Sequence, residues 1–392
     1  MGKKYLVLTE LFLPTKGGTA VWFSEVYPRL GGKDIHIVTA AVPGSEAVDV
    51  THPNSIHRLN LARVPWLKPE SLLMYLRLLG CSLRLAATRR FDAIHAGRAL
   101  PEGFVAWLVA RITGHRVLIY AHGEELTTWG RGAKYKTMRF ALRSADMVIA
   151  NSEFTRDQLS AMGVRRERIA LIHPGVDIDR FRPGLPFADL RSQLGMKPNE
   201  RLILSVGRLQ RRKGFDTVIQ CVGRLRTSGQ PVRYALIGIG EQREELVRLV
   251  RSLGLDEAVH FLGHVPPDEL PRWYNACDVF VMPNREVDGD NEGFGMVFIE
   301  AAACEKPAIA GTAGGTGSAV LDDVTGYRVN GNDVAAVCAR MNELLTNKPK
   351  ALTLGQRGLE RVRAEFAWER VAEKTAALIV QSASERPPCS TR

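Results

Sequence analysis

A chain of 392 residues, 45% hydrophobic and 24% charged with no low-complexity tract, has the composition of an ordinary globular protein and the length for two full-sized cores. Its six cysteines are scattered, with no Cys-x-x-Cys pair and no Cys/His cluster of metal-ligand spacing, which leaves reduced thiols in a cytoplasmic setting as the reading and gives no ground to expect a metal. The formal net charge is +11, and residues 1–185 carry 26 Lys and Arg against 16 Asp and Glu, so nearly all the excess lies in the N-terminal half, where it serves solubility or meets anionic lipid, nucleic acid or a phosphorylated acceptor.

The chain opens on Lys3-Lys4 and a short apolar run ending at Thr9-Glu10, a first β-strand rather than a signal peptide. Strand-like runs then fall at Tyr5–Thr9, Ile35–Thr39, Ala93–Ala96, Val117–Ala121, Met147–Asn151 and Ile169–His173. Helical stretches lie between them at Thr19–Leu30, Ser71–Thr88, Glu102–Thr113, Tyr135–Ser144 and Glu153–Met162. Strands alternating with helices of this length predict a parallel, doubly wound sheet. The Pro/Gly-containing stretch Pro174–Pro186 reads as the approach to a linker. A second alternation follows: strands Arg201–Val206, Arg233–Ile237, Val259–Leu262, Val279–Met282 and Ala308–Ala310, with helices Asp216–Ser228, Glu241–Leu253, Pro267–Asn275 and Met296–Cys304. A long helical segment, Ala351–Ser382, is broken near Phe366-Ala367-Trp368, and the tail from Ser384, residues 386–392 above all, reads as disordered. The expected fold is therefore α/β, two doubly wound Rossmann-like domains facing across a cleft, residues 1–185 and 186–366, with ligands beyond the carboxyl ends of the strands.

The chemistry-bearing motifs sit on strand-to-helix loops. Gly17-Gly18-Thr19 opens a helix after the first strand, where paired glycines let backbone approach an anion, or simply make a tight turn. His122 ends the run Val117–Ala121 beside Gly123, a place suited to a sugar hydrogen bond or to charge stabilisation, and equally to a satisfied structural histidine. In Gly207-Arg208-Leu209-Gln210-Arg211-Arg212-Lys213-Gly214, glycines bracket Arg208 and Lys213 directly after a strand. That arrangement fits a diphosphate leaving group; a solvated basic loop is the alternative. Gly238-Ile239-Gly240-Glu241 is half of a dinucleotide fingerprint without its third glycine, and Asp288-Gly289-Asp290 reads as a solvated acidic loop. The richest stretch is Glu292-Gly293-Phe294-Gly295-Met296-Val297-Phe298-Ile299-Glu300, with one carboxylate before a helix start and one inside the helix. A phosphate at such an N-terminus would leave both acids free to accept hydrogen bonds from sugar hydroxyls.

In this order the motifs resemble those of the GT-B glycosyltransferases of family 4, the retaining enzymes. The likeness spans nearly the whole chain and is strongest in Val206-Gly207-Arg208, Lys213-Gly214, Ile237–Gly240, Glu292–Glu300 and Gly314-Gly315, with Phe366-Ala367-Trp368-Glu369 similar to the segment where the family's last helix crosses back to the N-terminal domain. The resemblance implies a donor diphosphate on Arg208 and Lys213, ribose hydroxyls on Glu300, and the donor sugar on Glu292 with the backbone of Phe294-Gly295. Gly17-Gly18 would approach the phosphate, and His122 would contact the sugar near the reacting carbon. It further implies an acceptor-binding domain over 1–185 completed by a helix over 367–385, and a nucleotide-sugar domain over 186–366. Catalysis would proceed without a metal or other cofactor. A hexose, with GDP-mannose favoured and UDP-glucose close behind, would pass to a glycan or lipid-linked acceptor in polysaccharide, lipopolysaccharide or glycolipid assembly. One position departs from the family's pattern: Ser318 stands where an acidic residue is common. A sugar-nucleotide epimerase of similar architecture and a non-catalytic sugar-nucleotide-binding protein are the alternatives. The first would need acid/base residues that the two glutamates do not provide, and the second sits poorly with an intact His122, Arg208, Lys213 and Glu300.

The run Leu72–Ala87 is the most apolar helix, but Arg77 and Arg84 exclude a membrane span. With Arg89-Arg90 behind it, the helix would lie on an anionic leaflet or pack on the N-terminal sheet. The charge of that half favours peripheral contact with the inner face of a cytoplasmic membrane, and no nucleic acid is expected.

Overall fold

The computed structural model describes residues 2–15, 17–66, 70–130 and 132–383; the tail expected to be disordered lies outside them. The chain divides into two compact units, Met1–Pro174 together with the segment from Trp368, and Gly175–Ala367.

The first unit is built on seven parallel strands, β1 (Tyr5–Leu8), β2 (His36–Ala40), β3 (Ser55–Leu59), β4 (Ala93–Ala96), β5 (Val117–Ala121), β6 (Met147–Ala150) and β7 (Ile169–Leu171). Their order is β3-β2-β1-β4-β5-β6-β7, so the winding direction reverses between β1 and β4. Tyr5, Leu6, Val7 and Leu8 are wholly buried, as a strand covered by helices on both faces must be. Edge strand β3 is absent from the sequence reading because Ser-Ile-His-Arg-Leu offers no apolar run and all five residues are half-buried. Its Arg58 is neutralised locally, by Asp49 at 2.7 Å and by the carbonyls of Leu13 and Ala40.

The C-terminal helix Trp368–Ala383 packs on helix Gly18–Gly31 of this unit, burying Trp368, Val371, Ala372 and Thr375. Arg29 and Glu369 clasp the two helices at 2.9 Å. The expected return of the last helix to the N-terminal domain is therefore present. The helical segment read as starting at Ala351 begins earlier, at Lys348, because the Asn347 side chain accepts from Lys350 N (3.1 Å) and Pro349 fits the first turn. It ends in a π-helical turn, Val362–Phe366, and the chain breaks at Ala367, which is extended (φ −62°, ψ 138°).

The second unit holds six parallel strands, β8 (Arg201–Val206), β9 (Val232–Ile237), β10 (Val259–Gly263), β11 (Val279–Met282), β12 (Ala308–Gly311) and β13 (Gly326–Val329). The order is β10-β9-β8-β11-β12-β13, with the reversal between β8 and β11. The fold class is the expected one: two parallel Rossmann-like sheets. Strand β13 and the helix Val334–Thr346 add to the sequence reading. The strand is only four residues long and begins on glycine; the helix is capped by Asp333, whose carboxylate accepts from Ala336 N at 3.0 Å.

Burying histidines in the first core has a measurable consequence. His95 stacks on Tyr5 (4.3 Å) and hydrogen-bonds the Tyr27 hydroxyl (2.8 Å), and burial pulls its pKa down to about 3. Burial first, then Arg89 and His57, bring His36 to about 4. With folded pKa values below the ordinary ~6.5, these groups bind protons only after the unfolded chain has done so. Their stabilisation is complete above ~6.5 and falls with acid by roughly 1.4 kcal/mol per pH unit per group until the folded pKa is reached. Between pH 7.5 and pH 5 the parent should lose about 2 kcal/mol more stability to urea than a His36→Asn variant; the comparison is a difference because buried Glu102, pushed up to about 7, moves the total the other way over the same range, and an equal loss in the two proteins would refute this account.

Candidate donor and catalytic sites

In the second unit the winding reversal sets the loops after β8 and β11 side by side, the place where open α/β sheets bind ligands. The loop after β8 is held from behind by the two glycines of the half fingerprint. A Cβ on Gly238 would lie 1.8 Å from the Gly207 carbonyl oxygen, and one on Gly240 would lie 2.5 Å from that of Leu209. Gly207 and Leu209 also donate to the carbonyls of Ile237 and Ile239, both at 3.0 Å. Gly238 and Gly240 therefore serve as a close backbone support for the basic loop. Gly214 turns the chain with φ 74°, and a Cβ there would come within 2.3 Å of the Pro283 carbonyl oxygen in the loop after β11.

Across this contact lies a four-charge cluster. Lys213 Nζ donates to Glu292 Oε2, and Arg212 Nη1 donates to the same oxygen at 2.9 Å. Arg212 Nε lies 3.0 Å from Asp290 Oδ2. Asp290 is thus an ion-pair partner, which corrects the reading of Asp288-Gly289-Asp290 as a solvated loop; a charge count of that loop alone carries no sign of the arginine that folds onto it. The Arg212, Lys213 and Glu292 side chains are only 11–12% exposed. Burial alone would raise the Glu292 pKa, but the Lys213 ammonium and the Arg212 guanidinium outweigh it and hold the carboxyl below the usual range. Glu292 is therefore ionised at neutral pH, an acceptor of hydrogen bonds and no proton donor. Two cations and two carboxylates balance within the cluster. Arg208, exposed on the same loop, has no ion-pair partner among the described residues.

Gly314-Gly315 press on the backbone of Glu292 from the loop after β12. Gly315 N donates to the Glu292 carbonyl at 2.7 Å, and a Cβ on Gly314 (φ 68°) would lie 2.3 Å from that oxygen. Phe294 is buried edge-to-face against Phe366 at 5.8 Å. Gly295 (φ 88°) caps the helix Met296–Ala303, whose N-terminus it leaves open. Further along that helix, half-buried Glu300 accepts from the Tyr274 hydroxyl at 2.7 Å through Oε2, and no other donor reaches it among the described residues. Burial raises the Glu300 pKa against the opposing pull of Tyr274 and Arg180. Ser318 is buried in the short helix Thr316–Ala319, and its carbonyl accepts from Arg361 at 2.9 Å.

In the first unit, Gly17 (φ 137°) caps the helix Gly18–Gly31 after β1, and both glycines are exposed. Trp22 on that helix meets the His122 ring edge-to-face at 5.9 Å, so the Gly17-Gly18 helix and His122 belong to one cluster. His122 Nε2 lies 2.8 Å from the Gly97 carbonyl oxygen. A carbonyl only accepts, so Nε2 carries the proton; burial lowers the ring's pKa, with Arg98 adding to the effect and Glu125 opposing it. The ring is thus neutral with Nδ1 an acceptor. Such a histidine can receive a hydrogen bond from a sugar hydroxyl. Gly97 makes this possible: a Cβ there would lie 2.8 Å from Thr9 Oγ1.

Four participants escape the sequence reading: Arg212, Asp290, Tyr274 and Trp22. Arg212 was visible beside Lys213 in a basic run, but nothing in spacing says which cation of the run turns inward.

Residues 16–180 match the family described as Glycosyltransferase Family 4, and residues 186–361 match Glycosyl transferases group 1. A GDP-mannose-dependent alpha-(1-6)-phosphatidylinositol monomannoside mannosyltransferase of Mycobacterium tuberculosis is 30% identical over 95% of this chain and 97% of its own length. The chain belongs to the family 4 glycosyltransferases. This retaining family also includes, among its relatives, a D-inositol 3-phosphate glycosyltransferase of Corynebacterium diphtheriae, 29% identical over 91% of this chain and 88% of that one. The family's GT-B fold is seen in Anabaena HepE crystallised with UDP, which superposes with a TM-score of 0.82 at 20% identity over 96% of this chain and 100% of that one. This chain is thus a member of the family in sequence and in fold.

Proposed function

We propose that this glycosyltransferase moves mannose from GDP-mannose, with retention, to a lipid-linked acceptor in glycolipid assembly. The observation that carries the donor half is the buried Lys213–Glu292–Arg212 cluster at the winding reversal, with exposed Arg208 on the same loop. Arg208 and Lys213 stabilise the departing diphosphate, Glu300 holds the ribose hydroxyls, and Glu292 with the Phe294-Gly295 backbone receives the sugar hydroxyls. Gly17-Gly18 approach the phosphate, and His122 accepts a hydroxyl of the sugar at Nδ1. In the transfer, the bond between the anomeric carbon and the phosphate oxygen breaks with its electron pair leaving on the diphosphate. The acceptor oxygen bonds to that carbon, and its proton passes to the departing phosphate. The mannose and lipid assignments are supported by the full-length similarity to the phosphatidylinositol monomannoside mannosyltransferase. Domain roles follow the two units, acceptor in the first and donor in the second.

No helix among the described residues is long and apolar enough to cross a membrane. We place contact with lipid on the surface of the basic first unit, at the inner face of a cytoplasmic membrane, because residues 1–185 carry nearly all the excess positive charge. The test is nucleotide release from GDP-mannose and from UDP-glucose, each with and without phosphatidylinositol monomannoside. GDP release stimulated at least tenfold by the lipid is the expected result. A higher kcat/KM for UDP-glucose would overturn the donor, and release indifferent to the lipid would overturn the acceptor.

A further inference from the structure

The short helix Leu270–Ala276 lies between β10 and β11 in the second unit, and Trp273, Tyr274 and Asn275 on it are buried. The Tyr274 ring meets Phe181 edge-to-face at 5.9 Å and Phe280 of β11 at 5.6 Å. A ring packed on two sides fixes where its hydroxyl points, and a buried hydroxyl needs a partner. The partner is Glu300 at 2.7 Å, on the helix Met296–Ala303 that leaves the loop after β11. Burial first, and then the Glu300 carboxylate, push the Tyr274 pKa well above its ordinary value, so the hydroxyl keeps its proton and donates.

This hydrogen bond divides the carboxylate into two unlike oxygens. Oε2 is occupied by a donor that comes from the core, while Oε1 takes no hydrogen bond among the described residues. Arg180 lowers the Glu300 pKa by its charge, but its guanidinium donates to the Pro267 carbonyl at 2.5 Å and forms no salt bridge with Glu300. Half-buried Glu300 is therefore held at one oxygen and open at the other. A glutamate held by nothing would give up side-chain freedom on meeting a ligand; Tyr274 has already removed that freedom.

Resting on the reading of Glu300 as the ribose-binding group, we propose that Tyr274 is a positioning residue for it: by holding Oε2 it aims Oε1 at the ribose hydroxyls, and so makes the enzyme select ribonucleotide over deoxyribonucleotide donors. A site built to accept a hydroxyl rejects a ligand that lacks it because the acceptor is then left unpaired. A freely turning carboxylate would make good that loss by bonding water, so the selectivity depends on the clamp as well as on the charge. The diphosphate contacts of Arg208 and Lys213 do not pass through Tyr274. Removing its hydroxyl therefore acts on the ribose and not on the nucleotide as a whole.

Calorimetry on the full chain with GDP, 2′-deoxy-GDP and 3′-deoxy-GDP tests this in the parent and in Tyr274→Phe, which keeps the ring and its packing. In the parent, GDP is expected to bind at least tenfold more tightly than the weaker-bound deoxy nucleotide, the size of one hydrogen bond to a charged acceptor. In Tyr274→Phe that ratio should shrink at least fivefold through weaker binding of GDP, with the affinity for the deoxy nucleotide changed less than twofold. Weakening of all three nucleotides by one factor would mean that the tyrosine only packs, and an unchanged ratio would mean that Glu300 is held without it; either overturns the proposal. Glu300→Gln keeps the two readings apart. A ratio lost in Glu300→Gln but kept in Tyr274→Phe sinks the clamp alone, whereas a parent indifferent to both missing hydroxyls sinks the ribose assignment and the clamp with it. The ribose is common to guanosine and uridine donors, so a chain that binds UDP in place of GDP is tested on UDP and its deoxy forms with the same ratios.

Discussion

Replacement of Lys213 by alanine is expected to lower kcat by about 10²–10³ while leaving the protein folded, because the ammonium stabilises charge that develops mainly as the diphosphate departs. The fold survives for a local reason. Glu292 keeps Arg212 at 2.9 Å after the lysine is gone, so its buried carboxylate is still paired. What the variant loses is the cation next to Gly214, whose left-handed turn packs on the Pro283 carbonyl and fixes the loop. Arg208 cannot substitute: it is exposed and its side chain is ordered by no ion pair among the described residues. The kinetic signature is a fall in kcat larger than any rise in the KM for GDP-mannose, since losing a contact made equally in the ground state would raise KM and leave kcat unchanged. A purified, folded Lys213→Ala variant with near-normal turnover would remove Lys213 from the diphosphate site.

The parts of this picture that the sequence makes legible are those with strong local signals. Strands buried on both faces read as unbroken apolar runs, which is why β1, β8 and β11 were placed within a residue or two. Glycine-bracketed loops put Lys213 and His122 directly after strands, and the structure has them there, after β8 and β5. Edge strands β3 and β13 stayed hidden because neither shows an apolar run: β3 is half-buried and carries Arg58, and β13 is four residues long and opens on Gly326. Pairings across long sequence distance were hidden for another reason. Arg212 and Asp290 are 78 positions apart in number, and only the winding reversal between β8 and β11 brings their loops together. Gly238 and Gly240, read from sequence as an incomplete dinucleotide fingerprint, pack against the backbone of the loop after β8. The neutral state of His122 also depends on structure alone, because it follows from a carbonyl 25 positions away.

Changing Glu292 to glutamine is expected to cost more in stability than Lys213→Ala, about 3–5 kcal/mol against less than half of that, although both break the same contact. The asymmetry lies in what each leaves behind. Without Lys213 one carboxylate still faces one guanidinium. Without the Glu292 charge, two cations with side chains 11–12% exposed face each other, and Asp290, itself 32% exposed and paired with Arg212, is the remaining anion. A glutamine amide fills the space and its oxygen can still accept hydrogen bonds, but it carries no charge and neutralises neither cation. Urea unfolding of the two single variants and the double variant measures this directly, and the double should recover part of the loss because the orphaned lysine is gone; a coupling of 0.5–3 kcal/mol is the usual size for groups in contact. A Glu292→Gln midpoint no lower than that of Lys213→Ala would mean the cluster is too well hydrated to matter for folding. Activity in the same three proteins separates two roles for the glutamate. If Glu292 served only to anchor Lys213, the double variant would be no slower than Lys213→Ala. Because its carboxylate is ionised and backed by Gly314-Gly315, it is expected to hold the donor sugar as well, and the double should lose at least a further tenfold in kcat/KM for GDP-mannose.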